Sequence, residues 1–361
     1  MECMFEGCSG LNLLDLSNFD TSKVTNMSYM FQSCGNLHYV DLSKLDLRKV
    51  TSMANSFSYC SKLQEISFGE LLPNSLTSLS SAFSGCISLK SIDLSRFNLN
   101  KLTGSGFSET FSDCNALEEL ILPDMSSSTI SSLYYTFNRL YAITHLDLAN
   151  LNTSNVTSMS FTFNSCSALE SIDLSNWNTS KVTSMSYMFS GCNSLATIDI
   201  SHFNTEKVTN MDSMFYGCPK LLSLDLSNFD TSNVTNMGNM FAIPNAQGRS
   251  SLHTLNMSSF NTDKVTSMSN MFLNCNSLSN VLFGANWASN KSITSLDFGK
   301  SPLSKESLYN LATNIADKSD TSIYTSKNTV KLSSTSKAFC TAEEQQDLAS
   351  IFTAKNWTLG W

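Results

Sequence analysis

The chain has 361 residues, a formal net charge of −8 and only 14% charged side chains. The acidic balance argues against nucleic acid, which asks for a basic stripe, and no run of about 18 apolar residues exists to span a membrane as a helix. A single core would be near its size limit at this length, but an internal repeat removes that limit, because a solenoid grows in one dimension.

The chain opens with Met1-Glu2-Cys3-Met4-Phe5-Glu6-Gly7-Cys8, in the register of Met27-Ser28-Tyr29-Met30-Phe31-Gln32-Ser33-Cys34. This is mid-repeat and is not a signal peptide. The expectation is a piece without its N-terminal cap, with any export signal upstream. From there a phenylalanine register runs Phe5, Phe31, Phe57, Phe83, Phe111, Phe137, Phe163, Phe189, Phe215, Phe241, Phe272. The step is 26 residues, except 28 into Phe111 and 31 into Phe272. Each phenylalanine is followed by L-x-x-L-x-L or a near relative, such as Leu11-Leu14-Leu16 or Leu169-Ile172-Leu174. That pattern within a repeat of about 20–29 residues is the leucine-rich-repeat signature.

Within one repeat, I-D-L-S alternates and reads as a short strand with one buried face. An inward residue such as Trp177 follows, then a polar turn, Asn178-Thr179-Ser180. V-T-x-M, as in Val182 to Met185, supplies a second strand-like side, and S-Y-M-F-S-G-C predicts a helical turn back to the core. One coil cannot bury these side chains alone; its neighbours must cover them, and the parallel I-D-L-S strands are expected to pair from coil to coil. The unit is irregular over 99–143, where Leu102–Gly106 carries an insertion and Ile121 replaces the strand aspartate. It is expanded again over 242–250.

The repeats fade after Phe298. Ser304 precedes a predicted helix with Leu308, Leu311, Ala312 and Ile315 on one face. Thr329–Leu332 reads as a strand, Thr341-Ala342-Glu343-Glu344 as a capping box opening a second helix, and Trp357–Leu359 as a final strand. The expected fold is an α/β repeat solenoid. It is a right-handed leucine-rich-repeat superhelix of about eleven turns over residues 1–298, with a small α+β C-terminal cap over 299–361.

Nine of the eleven cysteines, Cys8 to Cys275, stand three residues after the repeat phenylalanine. Stacked coils would place them about 4.8 Å apart and parallel, whereas a disulfide needs converging Cβ atoms about 3.8 Å apart. A ladder of buried free thiols is expected. Zinc would need clustered ligands, which the four histidines do not supply.

The unit L-D-L-S-N-F-D-T-S-K-V-T-N-M-S-Y-M-F-x-x-C of residues 14–34 resembles the BspA-type leucine-rich repeat of bacterial surface proteins, over residues 1 to about 298. The tail over 305–318 and A-K-N-W-T-L also resembles the segment that often closes such proteins. The resemblance implies an exported, cell-surface location and adhesion to host matrix proteins or to other bacteria.

The most distinctive polar feature is the strand aspartate: Asp15, Asp41, Asp93, Asp147, Asp173, Asp199 and Asp225. Two readings are open: a carboxylate stripe for a cation or basic partner residues, or a ladder in which each aspartate bonds nearby hydroxyls and backbone. The calcium-loop motif is absent. Lys23, Lys49, Lys101, Lys181, Lys207 and Lys264 read as solvated surface, and the methionine register as core. The strand-face positions two before each aspartate vary, among them Tyr39, Glu65, Glu119 and His145; Tyr39 and His145 are the most ligand-like. His38, His145, His202 and His253 fall in different repeats, so no Cys/His or carboxylate pair suggests an enzyme, and no cofactor motif is present. The expected function is a non-enzymatic module binding a protein or glycan through the strand face. The alternatives are a spacer projecting another domain, or a receptor-binding part encoded by a phage or mobile element.

Overall fold

The computed structural model describes residues 1–245 and 248–361. Of the expected expansion at 242–250, Ala246 and Gln247 lie outside the described residues. The chain forms two compact units, Met1–Lys181 and Val182–Trp361, each a parallel β-solenoid. The first holds β1 (Tyr39–Leu42), β2 (Glu65–Phe68), β3 (Ser91–Asp93), β4 (Thr103–Gly104), β5 (Glu119–Ile121) and β6 (Thr129–Ile130), paired β1–β2, β3–β5 and β4–β6. The second holds β7 (Ser223–Asp225), β8 (Thr254–Met257) and β9 (Asn280–Phe283) in one sheet. Its other sheet is β10 (Ser295–Phe298), β11 (Asn328–Leu332) and β12 (Trp357–Gly360), with helices α1 (Lys305–Asn314), α2 (Ser334–Ala338) and α3 (Ala342–Ala354).

Each coil has three sides, and they bond to the next coil differently. On the V-T-x-M side the backbone ladder runs from coil to coil. In the first unit Thr51 N–H donates to the Thr25 carbonyl at 2.8 Å and Thr77 N–H to that of Thr51 at 2.8 Å. In the second, Thr209, Thr235 and Thr266 donate to Thr183, Thr209 and Thr235. The threonine hydroxyls reinforce the same contacts, as Thr51 Oγ1 does to the Thr25 carbonyl at 3.1 Å.

The phenylalanine side corrects one expectation: it is not a helical turn. Tyr29, Phe31 and Ser33 donate their N–H groups to Ala54, Ser56 and Ser58 of the next coil at 2.7–2.9 Å, while Met30, Gln32 and Cys34 bond three residues back. An α-helix is about 10 Å wide with its side chains and cannot fit between coils about 4.8 Å apart. The chain therefore sends alternate N–H groups outward. This requires positive φ two residues before and after the phenylalanine, at Tyr29 (60°) and Ser33 (60°) in the first unit and at Tyr187 (56°) and Gly191 (73°) in the second. The rings stack along this side, Phe5 on Phe31 at 5.4 Å and Phe189 on Phe215 at 5.6 Å.

The I-D-L-S side corrects a second expectation, since its pairing is partial. Among the described residues of the first unit, no backbone hydrogen bond joins 65–68 to 91–93, or 119–121 to 145–147. Coil contact is held by the other two sides, so this one is free to open.

All eleven cysteines are free; Cys3 and Cys8 are exposed, the rest buried. The ladder is more than apolar filling, because buried thiols along it reach back one coil. Cys60 donates to the Phe31 carbonyl at 3.1 Å, Cys86 to Phe57 at 3.1 Å and, in the second unit, Cys275 to Phe241 at 3.2 Å. The threonine of N-T-S does more than open its turn, where the Thr153 carbonyl accepts from Val156 N–H at 2.9 Å. Thr153 is buried; its hydroxyl accepts from Asn178 N–H at 2.7 Å and donates to the Asn178 carbonyl at 3.1 Å. One hydroxyl thus stands in for a paired strand. Thr231 does the same for Asn261.

In the second unit, Ser304 caps α1 by accepting from Ser307 N–H, and Thr341 with Glu344 forms both halves of the expected capping box on α3. β11 and β12 lie over the expected strands. Lys318, fully buried, donates to the Asn290 carbonyl at 3.0 Å and to that of Ile293, with its ammonium 4.7 Å from the Trp357 ring.

Two outcomes follow. Thr153→Val keeps the shape and strands the N–H and C=O of Asn178; a loss of about 1–3 kcal/mol is expected in denaturant titration. Burial pushes the thiols of Cys60, Cys166, Cys218 and Cys275 from 9.0 up to about 12. The folded state then holds protons that the unfolded state has released, so stability falls as pH rises above 9. Burial lowers Lys318 from 10.5 to about 8, which adds stability over that interval. Each group is worth about 1.4 kcal/mol per pH unit, and four thiols outweigh one amine. Unfolding in reductant should show a net loss of about 3 kcal/mol or more between pH 8 and pH 10.

Candidate functional site

The site begins at the strand aspartate. Oδ1 of each accepts the backbone N–H two residues on: Asp15 from Ser17, Asp41 from Ser43 and Asp93 from Ser95 at 2.8 Å, Asp147 from Ala149 at 3.0 Å and Asp173 from Ser175 at 2.9 Å. In the second unit Asp199 and Asp225 accept from Ser201 and Ser227 at 3.0 Å. This is an Asx turn, and it closes the corner after the strand. The Ser backbone N–H is the main reason the carboxyls of Asp15 and Asp199 lie below their usual range; for Asp41, Asp93 and Asp225 it is the Ser hydroxyl. Asp15 raises Asp41, but by less than Ser43 lowers it, so repulsion along the stripe is the weaker effect. Among the described residues no three His, Cys, Asp or Glu side chains converge as a metal set.

The informative rows are those where the aspartate is missing. In the first unit these are Ser67 and Ile121. Ser67 leads into Phe68-Gly69-Glu70-Leu71-Leu72-Pro73, and Ile121 into Leu122-Pro123. Without the Asx turn the corner takes another path, and beside each such row the coils part. One hollow of about 420 Å³ lies between 118–125 and 145–151. Another of about 400 Å³ lies between 65–72 and 91–97. Gly69 permits this path: a Cβ there would sit 2.2 Å from the Ser43 carbonyl oxygen. The second unit has two rows without the aspartate: Asn256 keeps the corner bond by accepting from Ser258 N–H at 3.1 Å, and at Leu282 in β9 α1 fills the gap. Val281 N–H donates to Ser307 Oγ and Phe283 N–H to Asn310 Oδ1, both at 2.8 Å.

The larger hollow has an apolar floor of Leu120, Met125, Leu148 and Leu151, all buried, with Ile121 39% exposed at its edge. Its rim carries Glu118, Glu119, His145 and Asp147, all exposed. The backbone N–H groups of His145, Leu146 and Asp147 have no partner among the described residues. The smaller hollow has Ile66, Phe68 and Phe97 below, the two rings edge-on at 4.9 Å, and Glu65, Asp93 and Arg96 at the rim. Arg96 is paired with Glu70. Such hollows suit a cationic side chain with an apolar stem.

Of the expected site residues, His145 and Asp147 meet at the larger hollow and Asp93 lines the smaller. Tyr39 donates its hydroxyl to Ser67 Oγ at 3.0 Å, one row away. Asp15, Asp41 and Asp173 lie outside both hollows, and Asp199 and Asp225 belong to the second unit. Glu118 and the exposed flank of Ile121 were missed. The signal available was a gap in the aspartate register followed by Pro73 and Pro123.

Residues 1–123, 105–222, 131–252 and 196–310 match the family described as "Mycoplasma protein of unknown function, DUF285". The chain belongs to this family. The DUF285 matches include both hollows. Among solved structures, a leucine-rich cell surface protein of Faecalibacterium prausnitzii A2-165 is 20% identical over 72% of this chain and 76% of that chain, with a TM-score of 0.34. An internalin of Listeria monocytogenes str. 4b F2365 is 13% identical over 84% and 76%, TM-score 0.20. TLR13, solved in complex with ssRNA13, is 16% identical over 94% of this chain and 52% of that chain, TM-score 0.29; this chain spans about half its length. No curated protein matches the sequence. No helix among the described residues is long and apolar enough to cross a membrane.

Gly69→Ala is expected to lower stability by about 2 kcal/mol or more in thermal denaturation, because backbone must move. Gly35→Ala, whose nearest contact would be Ser61 Oγ at 3.5 Å, serves as a near-neutral control.

Proposed function

We propose that this chain is a non-enzymatic binding module of a bacterial surface protein of the BspA type. It holds a protein partner at its I-D-L-S face, outside the cell. One observation carries the reading: a hollow with an apolar floor and a carboxylate rim opens beside Ile121, where the otherwise uniform corner is broken. A frame that only spaced other domains would have no use for such a break. The rim carboxylates, on a chain of net charge −8, favour a basic partner segment over an acidic or neutral one. The resemblance of the repeat unit to BspA-type surface proteins supports the adhesive setting, and the varied side chains two before each aspartate supply the means of discrimination. Aspartates away from the hollows act in this reading as corner residues that keep the face in shape.

A binding screen of the purified chain against matrix proteins and bacterial surface extracts tests this. The double variant Glu119→Lys/Asp147→Asn, which keeps the acceptor for Ala149 N–H, should bind the partner at least about tenfold more weakly, a loss of about 1.4 kcal/mol or more, with unchanged melting temperature. Equal binding by variant and wild type would place the partner elsewhere, and no binding at all would favour the spacer.

A further inference from the structure

The two hollows lie on one side of the same unit, two coil steps apart. β3 and β5, paired to each other, form the ridge between them. The paired step from β3 to β5 is about 4.8 Å, and half of the parted gap on each side of it puts the hollows about 10 Å or more apart. That span matches three residues of polyproline II helix, about 3.1 Å each, and in that helix residues i and i+3 lie on the same face. A β-strand would fail here, because its i and i+3 side chains point to opposite faces.

The linings agree about chemistry. The larger hollow has Glu118, Glu119 and Asp147 at the rim. In the smaller, Glu65 and Asp93 stand at the rim beside Arg96, which pairs with the exposed Glu70 and also acts on Asp93. Each hollow combines this rim with an apolar floor, and the smaller adds the rings of Phe68 and Phe97, which favour a planar guanidinium over an ammonium. The second unit offers an internal precedent for filling such a gap: at Leu282, polar side chains of α1 enter and bond the strand edge.

We propose that the two hollows form one bidentate site for an extended, polyproline-like peptide segment that places two arginine side chains, three residues apart, one in each hollow. This rests on the reading that the I-D-L-S face binds a protein, and names the segment it reads. Neither hollow has to bind tightly alone, since joining them on one peptide makes the second contact intramolecular.

The test uses the full chain and blocked proline peptides carrying arginine at i and i+3, at i and i+4, or once, followed by fluorescence anisotropy at low and physiological salt. The i,i+3 peptide should bind at least about tenfold tighter than the i,i+4 peptide of equal charge. Glu119→Gln and Asp93→Asn should each reduce it to the level of the single-arginine peptide. Asp93→Asn leaves the corner acceptor in place, as Asn256 shows by accepting from Ser258 N–H at 3.1 Å. Equal affinity for the two spacings would overturn the bidentate site. The broader reading would still stand if Glu119→Lys/Asp147→Asn abolished capture of a surface protein. Binding that spares the i,i+3 preference in both single variants would also overturn the proposal, because the preference would then arise elsewhere.

Discussion

Everything in this protein depends on backbone hydrogen bonds that pass from one coil to the next in strict phase. A single coil has too little to pack against, so its apolar side chains become a core only when the same side chains sit above and below. Two of the three sides carry this phase. The V-T-x-M side does so as an ordinary parallel ladder. The phenylalanine side does so by turning alternate N–H groups toward the neighbour, at the expense of left-handed residues that cost about 1–2 kcal/mol each. Stacked rings and thiols bonded to carbonyls one coil back offset that strain and return nothing unless the next coil is present.

Much of this was legible in the sequence. The period, the inward register of phenylalanine, valine and methionine, the free thiols and the helices of the tail follow from spacing alone. What spacing could not show was which side bonds to the next coil. I-D-L-S and V-T-x-M both alternate with period two, and alternation says which side chains point inward, not how far away the next coil lies. That distance is set on the phenylalanine side, whose apolar spacing imitates a helix although a helix could not fit there. Thr153 was hidden for a related reason: in N-T-S it looks like a residue bonding its own turn, and only the stack turns it inward.

The candidate site was legible in outline and misplaced in emphasis. The recurring aspartates drew attention because they recur, yet recurrence marks the corner device. The rows that depart from it, Ser67 and Ile121, are where the coils part and carboxylates meet apolar floor. In a repeat scaffold the frame is read from what is constant and the site from where constancy lapses. Tyr39 and His145 stood out as ligand-like side chains at variable positions and Asp147 by its register; that His145 and Asp147 line a hollow, and that Tyr39 reaches Ser67, only the fold shows.

The buried sulfurs have one further effect. Sealed between coils, they are out of reach of oxidants, so in an oxidising setting the exposed Cys3 and Cys8 are the thiols open to cross-linking while the fold holds. Once a stretch of coils comes apart, the buried sulfurs become thiolates free to exchange, and random bridges would bar the way back. The lifetime of the molecule in an oxidising setting is then governed by how rarely it opens.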